Sequence, residues 1–148
     1  MKLAEGLLLR SDLKKKIEHL QNRIRPNLIV SDGKQPQEDT VKLMAQLRKA
    51  ILDFEAIVVR INKTNNQTII EGEGPLMEAL AKRDALKLLA EKLRIIRQAA
   101  QITNTGYNNL RTTVDIKKLQ IEIDQTGRAF REVDSKIQGI NWLTDLAE

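Results

Sequence analysis

The sequence predicts a mainly α protein of four helices, at least two of them long and coiled-coil-like, with a small two-stranded β-ribbon. Its 148 residues are enough for one helical domain over residues 1–148. Only 3% of the residues are aromatic, so the core must consist mostly of Leu, Ile, Val and Ala. Apolar residues also recur at steps of three and four through several long segments, which is the helical period.

The first two helices are predicted from their apolar spacing and from one proline. The first runs from about residue 2 to residue 25 and stops before Pro26, because a proline disfavours helical geometry in the residue that precedes it. The second covers residues 38–65, with Met44 to Ile61 along one apolar stripe.

The third and fourth helices carry clearer start signals. Pro75 is suited to the first position of the third helix, which should extend to about residue 101. The fourth can be capped by Thr112 or Thr113, with Asp115 in its first turn, and its apolar stripe spans residues 116–140. The predicted core stripe of the third helix consists of Leu80, Leu86, Leu89, Leu93, Ile96 and Ala100.

Two short β-branched runs lie outside these helices, at residues 28–30 and 68–70, and each is followed by turn residues. The two runs can pair as a small ribbon. Two strands alone are marginally stable in water, so the ribbon should lie against the helices or pair with another copy of the chain.

The length of the fourth helix predicts assembly. At about 34 residues it would span about 50 Å, whereas a compact domain of this size has a radius of gyration of about 15 Å. Phe130 lies at the centre of the apolar stripe and should be enclosed by helices of its own chain or of a second one. Another protomer is the simplest cover for the overhanging stripe, so we expect a homo-oligomer.

Basic residues are concentrated in two predicted helices. Residues 1–25 contain seven Lys or Arg against three acids, and residues 76–101 contain six against three. Such groups can contact phosphates without strong sequence preference, but they can equally pair with acidic helices of another protomer or remain solvated. The nucleic-acid candidates are Lys14, Lys15, Lys16, Arg23, Arg25, Arg94 and Arg97.

The sequence offers few reactive groups. It contains no cysteine and a single histidine, His19, whose position between Ile17 and Leu20 turns it away from their stripe. The glycine-rich loop at residues 72–75 could hold a phosphate, but Glu71 and Glu73 argue against this. We predict no metal, no cofactor and no catalytic residue, and the sequence leans against an enzyme.

A second group of polar residues could meet in a buried network. Such networks usually fix helix register and partner choice, and less often form a ligand site. The members are Arg83, Asp84, Arg131, Asp134, Gln138 and Asn141.

Five segments carry a family resemblance: KLAEGLLLRSDLKKKIEHLQNRI, SDGKQPQED, INKTN, KRDAL and REVDSKIQGINW. In this order they cover nearly the whole chain, and it resembles the bacterial septicolysin-like family. The resemblance implies an α-helical, oligomer-forming protein without an established biochemical role. The family label suggests a pore-forming toxin, but the chain lacks an export signal, an apolar stretch near 20 residues and an aromatic belt.

The sequence thus predicts a cytoplasmic, self-assembling helical protein with a structural or scaffolding role, whose partner is another copy of itself and not a membrane. The alternative is a basic helical module that binds nucleic acid without strong sequence preference.

Overall fold

A computed structural model describes residues 1–101 and 110–148, which form two compact units. The N-terminal unit comprises Met1–Gln67 and Asn141–Glu148, and the central unit comprises Thr68–Ile140. The elements are α1 (Leu3–Ile24), α2 (Thr40–Gln67), β1 (Ile69–Ile70), β2 (Gly74–Pro75), α3 (Leu76–Ala100) and α4 (Ile116–Leu143). The prediction of four helices, at least two of them long, and of a two-stranded ribbon is confirmed. Both α2 and α4 have 28 residues, so α4 is shorter than the length of about 34 residues on which the predicted overhang rests.

In the N-terminal unit, α1 and α2 pack against each other through their apolar stripes. Leu20 and Ile24 of α1 are buried against Leu43 and Ala50 of α2. The helical period of both segments creates this contact, because it places one apolar residue per turn on the same face. The core cluster is completed by the partly buried Ile17, Met44 and Leu47.

The turn between α1 and α2 is fixed by side-chain bonds to the backbone. A 3₁₀ turn at Arg25–Asn27 contains Pro26 and follows α1 directly, as the proline predicts. The buried Asn27 side chain donates to Arg23 O (2.9 Å) and accepts from Glu38 N (3.2 Å). Asp39 then caps α2, since its Oδ1 accepts from Val41 N and Lys42 N, so the helix begins two residues later than predicted.

The chain returns to the N-terminal unit after α4. Leu3 N donates to Thr144 O and Leu146 N donates to Met1 O, both at 2.9 Å. Leu146 is buried, and a Cβ on Gly6 would lie only 3.0 Å from one of its methyl carbons. The absence of a side chain at Gly6 therefore lets this segment approach α1 closely.

In the central unit, β1 pairs with β2 in a tight antiparallel hairpin. Gly72 and Gly74 in its turn have φ of 76° and 84°, the left-handed region that glycine adopts at low cost. The predicted pairing with residues 28–30 is wrong: that run lies outside any strand, and Ile29 is 88% exposed. A partner five residues away in sequence closes a much shorter loop and loses less chain entropy.

The starts of α3 and α4 differ slightly from prediction. Pro75 precedes α3 as its extended cap residue and is not its first helical residue. Asp115 caps α4, since its Oδ1 accepts from Lys117 N (3.0 Å) and Lys118 N (3.1 Å). The Thr112 hydroxyl instead bonds Val114, so neither predicted threonine caps this helix. The buried residues of α4 in this unit are Ile123, Thr126, Val133 and Ile137.

Three further predicted core positions differ in the central unit. Phe130 is only half-buried within the single chain. Leu93 of α3 is buried as predicted, but Leu89 and Ile96 are 43% and 48% exposed, because the buried face of α3 is turned towards Leu76, Ala79 and Ala90. Apolar residues of α3 therefore lie both on the face that is buried in the central unit and on the face that is exposed.

Candidate functional site

The most enclosed charged side chain among those forming ion pairs in the described residues is Glu73, in the hairpin turn. Its side chain is 8% exposed, and its carboxylate accepts from Lys82 Nζ (2.7 Å) and Lys136 Nζ (2.9 Å). The hydrogen bond from Lys82, followed by that from Lys136, lowers the pKa of Glu73 below its ordinary value. Glu73 is therefore ionised at neutral pH and joins the turn to α3 and α4.

The backbone of the hairpin holds Glu73 in this position. Glu73 N donates to Ile70 O (3.0 Å), and Leu76 N donates to Thr68 O (2.8 Å). A Cβ on Gly72 would lie 3.8 Å from Lys136 Nζ. The glycine loop that could have held a phosphate thus supplies its own anion. From the sequence, Glu73 counts only as an argument against phosphate binding. Its position between two glycines, Gly72 and Gly74, is the feature that could have identified it as a buried acid in a turn.

Three of the six predicted network residues lie together beside this turn. Arg83 donates through Nε and a terminal nitrogen to Asp84 Oδ1, at 2.9 and 2.8 Å. Its other terminal nitrogen lies 3.7 Å from Asp134 Oδ1 on α4. These contacts link one turn of α3 to one turn of α4. The group is not the buried network that the sequence predicts, because the Asp84 side chain is 66% exposed.

The other three members of the predicted network are placed elsewhere. Arg131 and Gln138 are exposed on α4. Asn141 is buried and belongs to the N-terminal unit. The cluster at the hairpin therefore consists of two ion-paired sets, one around Glu73 and one around Arg83, and its chemistry is charge pairing between α3 and α4.

The basic residues in and directly after α1 that the sequence suggests for nucleic-acid binding are exposed, with one exception. Lys14, Lys15 and Lys16 lie on the surface, and the Lys14 ammonium is 5.9 Å from the centre of the Phe54 ring. Arg25 is also exposed. Arg23 instead forms an ion pair with Glu38, through hydrogen bonds from Nε and a terminal nitrogen. The pKa of Glu38 is lowered by this hydrogen bonding.

The basic candidates of α3 lie in the central unit. Arg94 is exposed, whereas Arg97 is partly buried and its Nε has no hydrogen-bond partner within the described residues. The single histidine, His19, is exposed on α1, as predicted.

The outer face of α3 carries a row of apolar side chains, which we call the α3 outer stripe. Met77, Leu88 and Ile95 are 50%, 54% and 53% exposed, and alanines 81 and 99 continue the row. It lies opposite the buried stripe of the same helix, since its positions are half a helical turn away from Ala79 and Ala90. Near its end, a groove of about 490 Å³ is lined by Ile96, Ala99, Ala100, Leu110, Arg111, Thr112, Thr113 and Val114.

Two classes of site receive no support from the part of the chain that the structure describes. Within residues 1–101 and 110–148, no three His, Asp or Glu side chains are grouped so that they could hold a metal ion. None of the described helices contains an apolar stretch long enough to cross a bilayer.

Comparison with known proteins places the chain in a family. No curated protein matches it. It is similar to a crystal structure of a functionally unknown conserved protein from Corynebacterium diphtheriae, with 26% sequence identity and a TM-score of 0.91 over 99% of this chain and 98% of that one. The model of a family of unknown function, DUF6847, matches residues 10–146. The chain therefore belongs to the DUF6847 family.

Proposed function

We propose that the protein is a self-assembling helical protein with a structural or scaffolding role. The observation that carries this proposal is the α3 outer stripe, in which Met77, Leu88 and Ile95 expose half or more of their surface. Large exposed apolar side chains that alternate with charged residues such as Asp84 and Lys92 on one helix face are typical of an interface between helices. Burying it against another protomer gains roughly 25 cal/mol per Å² of apolar area removed from water.

The polar cluster at the hairpin supports the same proposal. Arg83 and Asp134 join α3 to α4, and Glu73 joins both helices to the turn. These bonds use charged groups to hold two helices in register, which keeps the outer stripe of α3 in a defined orientation for a partner.

Light scattering tests self-assembly directly. The purified chain should have a mass of at least twice 16.9 kDa at micromolar concentration. Ile95→Glu places a charge in the α3 outer stripe and should lower that mass, whereas Gln98→Glu adds the same charge at an exposed position beside the stripe and should not. A stably folded monomeric wild type would contradict the proposal.

The alternative function is binding of nucleic acid, and the three consecutive exposed lysines of α1 favour it. RNA or DNA should then bind at low salt and be released by about 0.2 M, because several phosphate contacts make affinity fall steeply with salt. Neutralising Lys14, Lys15 and Lys16 to Gln should flatten this dependence, whereas neutralising Lys117 and Lys118, which are exposed on α4, should not. No retention at about 50 mM salt would exclude this alternative.

Two other expectations belong to the proposal. The absence of cysteine from the sequence supports a reducing, cytoplasmic location. The resemblance to septicolysin-like proteins stays a prediction, since the DUF6847 match and the similar crystal structure concern proteins of unknown function.

A further inference from the structure

The α3 outer stripe is symmetric in sequence about Leu88. Ala81 and Ile95 are each seven residues from it, and Met77 and the alanine at position 99 are each eleven residues from it. The charged residues follow the same rule, because Asp84 lies four residues before Leu88 and Lys92 four residues after it. The stripe therefore has the same order of apolar and charged positions in both directions, with the signs of the charges exchanged.

If two copies of α3 are related by a two-fold axis, this sequence symmetry makes their outer stripes complementary to each other. In an interface between identical copies, each contact of residue i with residue j is repeated as a contact of j with i. Antiparallel α3 helices that cross at Leu88 would place Asp84 opposite the partner's Lys92, and Ala81 opposite the partner's Ile95. Small side chains thus face large ones, and opposite charges face each other.

A parallel arrangement of the same helices lacks these advantages. Every residue would lie opposite its own copy, so Asp84 would face the partner's Asp84 and Lys92 the partner's Lys92. Like charges placed in opposition select against an arrangement, even where opposite charges add little affinity. Charge complementarity therefore favours the antiparallel pair.

The structure leaves both charged groups accessible for this contact. Asp84 and Lys92 are exposed, with side chains 66% and 58% accessible. Both hydrogen bonds from Arg83 to Asp84 end on Oδ1, so Arg83 does not use Oδ2. Lys92 contacts Glu91 at 3.4 Å, an exposed and weak pair that can exchange for an interface contact.

We propose that the occupant of the α3 outer stripe is the same stripe of a second copy, antiparallel about a two-fold axis at Leu88. This inference rests on the proposed self-assembly and specifies its geometry. Burial of Leu88, Ile95 and Met77 supplies the affinity, and the two Asp84–Lys92 pairs set the direction of the helices.

Cysteine cross-linking tests the position of the axis, because the chain has no native cysteine. Leu88→Cys should give a disulfide-linked dimer on mild oxidation at low micromolar concentration, since both copies meet at the axis. Met77→Cys lies on the same stripe and is the matched control. In the antiparallel pair its two copies are separated by 22 residues of helix, about 33 Å, and should not cross-link. Cross-linking of Met77→Cys at the rate of Leu88→Cys would overturn the antiparallel geometry.

Charge exchange tests the direction of the helices. Asp84→Lys or Lys92→Asp alone creates two like-charge contacts and should weaken dimerisation by at least about tenfold. The double variant Asp84→Lys/Lys92→Asp restores opposite charges and should dimerise within about threefold of wild type. A double variant as weak as the single variants would overturn the proposed pairing. Thermal melting of each variant shows whether it is folded.

The outcomes separate this inference from the proposed function. An oligomeric wild type whose Leu88→Cys variant does not cross-link would overturn the interface at Leu88 and leave self-assembly standing. A folded, monomeric wild type would overturn both.

Discussion

Each unit has its own buried apolar core, but the two units differ in how enclosed their ion pairs are. In the N-terminal unit, α1 and α2 meet through a buried apolar cluster around Leu20 and Leu43, and the returning segment inserts Leu146 beside Gly6. In the central unit, the hairpin end of α3 is joined to α4 by charged groups, above all by the nearly buried carboxylate of Glu73 between Lys82 and Lys136.

This difference predicts how each unit responds to its surroundings. Apolar burial depends little on pH or ionic strength, so the N-terminal cluster should be sensitive mainly to changes in side-chain volume. The Glu73 contacts depend on ionisation and should be sensitive to pH. Salt should affect Glu73 less than the half-exposed Arg23–Glu38 pair, because enclosed charges are screened less.

The largest effect is expected from Leu20→Ala in the apolar cluster. Leu20 is almost completely buried between α1 and α2, so the substitution removes apolar contacts and leaves a cavity. The free energy of unfolding should fall by about 2–5 kcal/mol. Denaturant unfolding measures it, with the exposed Leu28→Ala as a control that should change it by less than about 0.5 kcal/mol. Equal losses in both variants would contradict an apolar core at Leu20.

Phe130→Ala tests the apolar packing of α4 in the central unit. Phe130 is half-buried in the single chain, so the loss should be about 1–3 kcal/mol, below the value for a fully enclosed aromatic. Thermal melting and light scattering should be measured together. A larger loss that coincides with dissociation would place Phe130 at a subunit contact, in addition to the α3 outer stripe.

Glu73→Gln tests the ionic contacts of the central unit. Because its pKa is lowered in the folded protein, Glu73 stabilises the fold above its ordinary pKa, and this stabilisation disappears as the pH falls through the folded value. The melting temperature of wild type should therefore fall more between about pH 5 and pH 3 than that of Glu73→Gln. Glu71→Gln, at the exposed neighbouring acid, is the matched control and should behave as wild type. Parallel pH profiles for wild type and Glu73→Gln would contradict the role of Glu73.

The smallest effect on stability is expected at residues 28–30, the run that was predicted as a strand and does not form one. Ile29→Thr should change the free energy of unfolding by less than about 0.5 kcal/mol, because Ile29 is exposed and outside any strand. The same substitution at Ile70, buried in β1, removes apolar burial and should cost about 1–3 kcal/mol. A loss at Ile29 equal to that at Ile70 would show that residues 28–30 are covered, for example by another copy of the chain.

The helices were predictable from the sequence because each of their signals is local. The stop at Pro26, the start near Pro75 and the apolar stripe of α4 all act within a few turns of the same segment. The helix starts differ by only one or two residues from prediction, since caps such as Asp39 and Asp115 compete with neighbouring polar residues for the same amides.

The pairing of strands and charges was not predictable in the same way. Periodicity identifies Ile69 and Ile70 as a strand but does not specify the partner, and the shorter loop selected Gly74–Pro75. For the candidate site, the sequence grouped Arg83, Asp84 and Asp134 with three residues that lie elsewhere. It did not identify the partners of Glu73, because they come from two helices far apart in the chain.

By itself, the sequence determined the number, order and amphipathic character of the helices, because these follow from residue preferences over short distances. For α3, only the tertiary structure decided which apolar residues are buried and which are left to solvent. On α3 the buried side is Ala79, Ala90 and Leu93, while Met77, Leu88 and Ile95 remain exposed. Both stripes fit the helical period equally well, and the choice depends on the helices that pack beside α3, which no local pattern encodes.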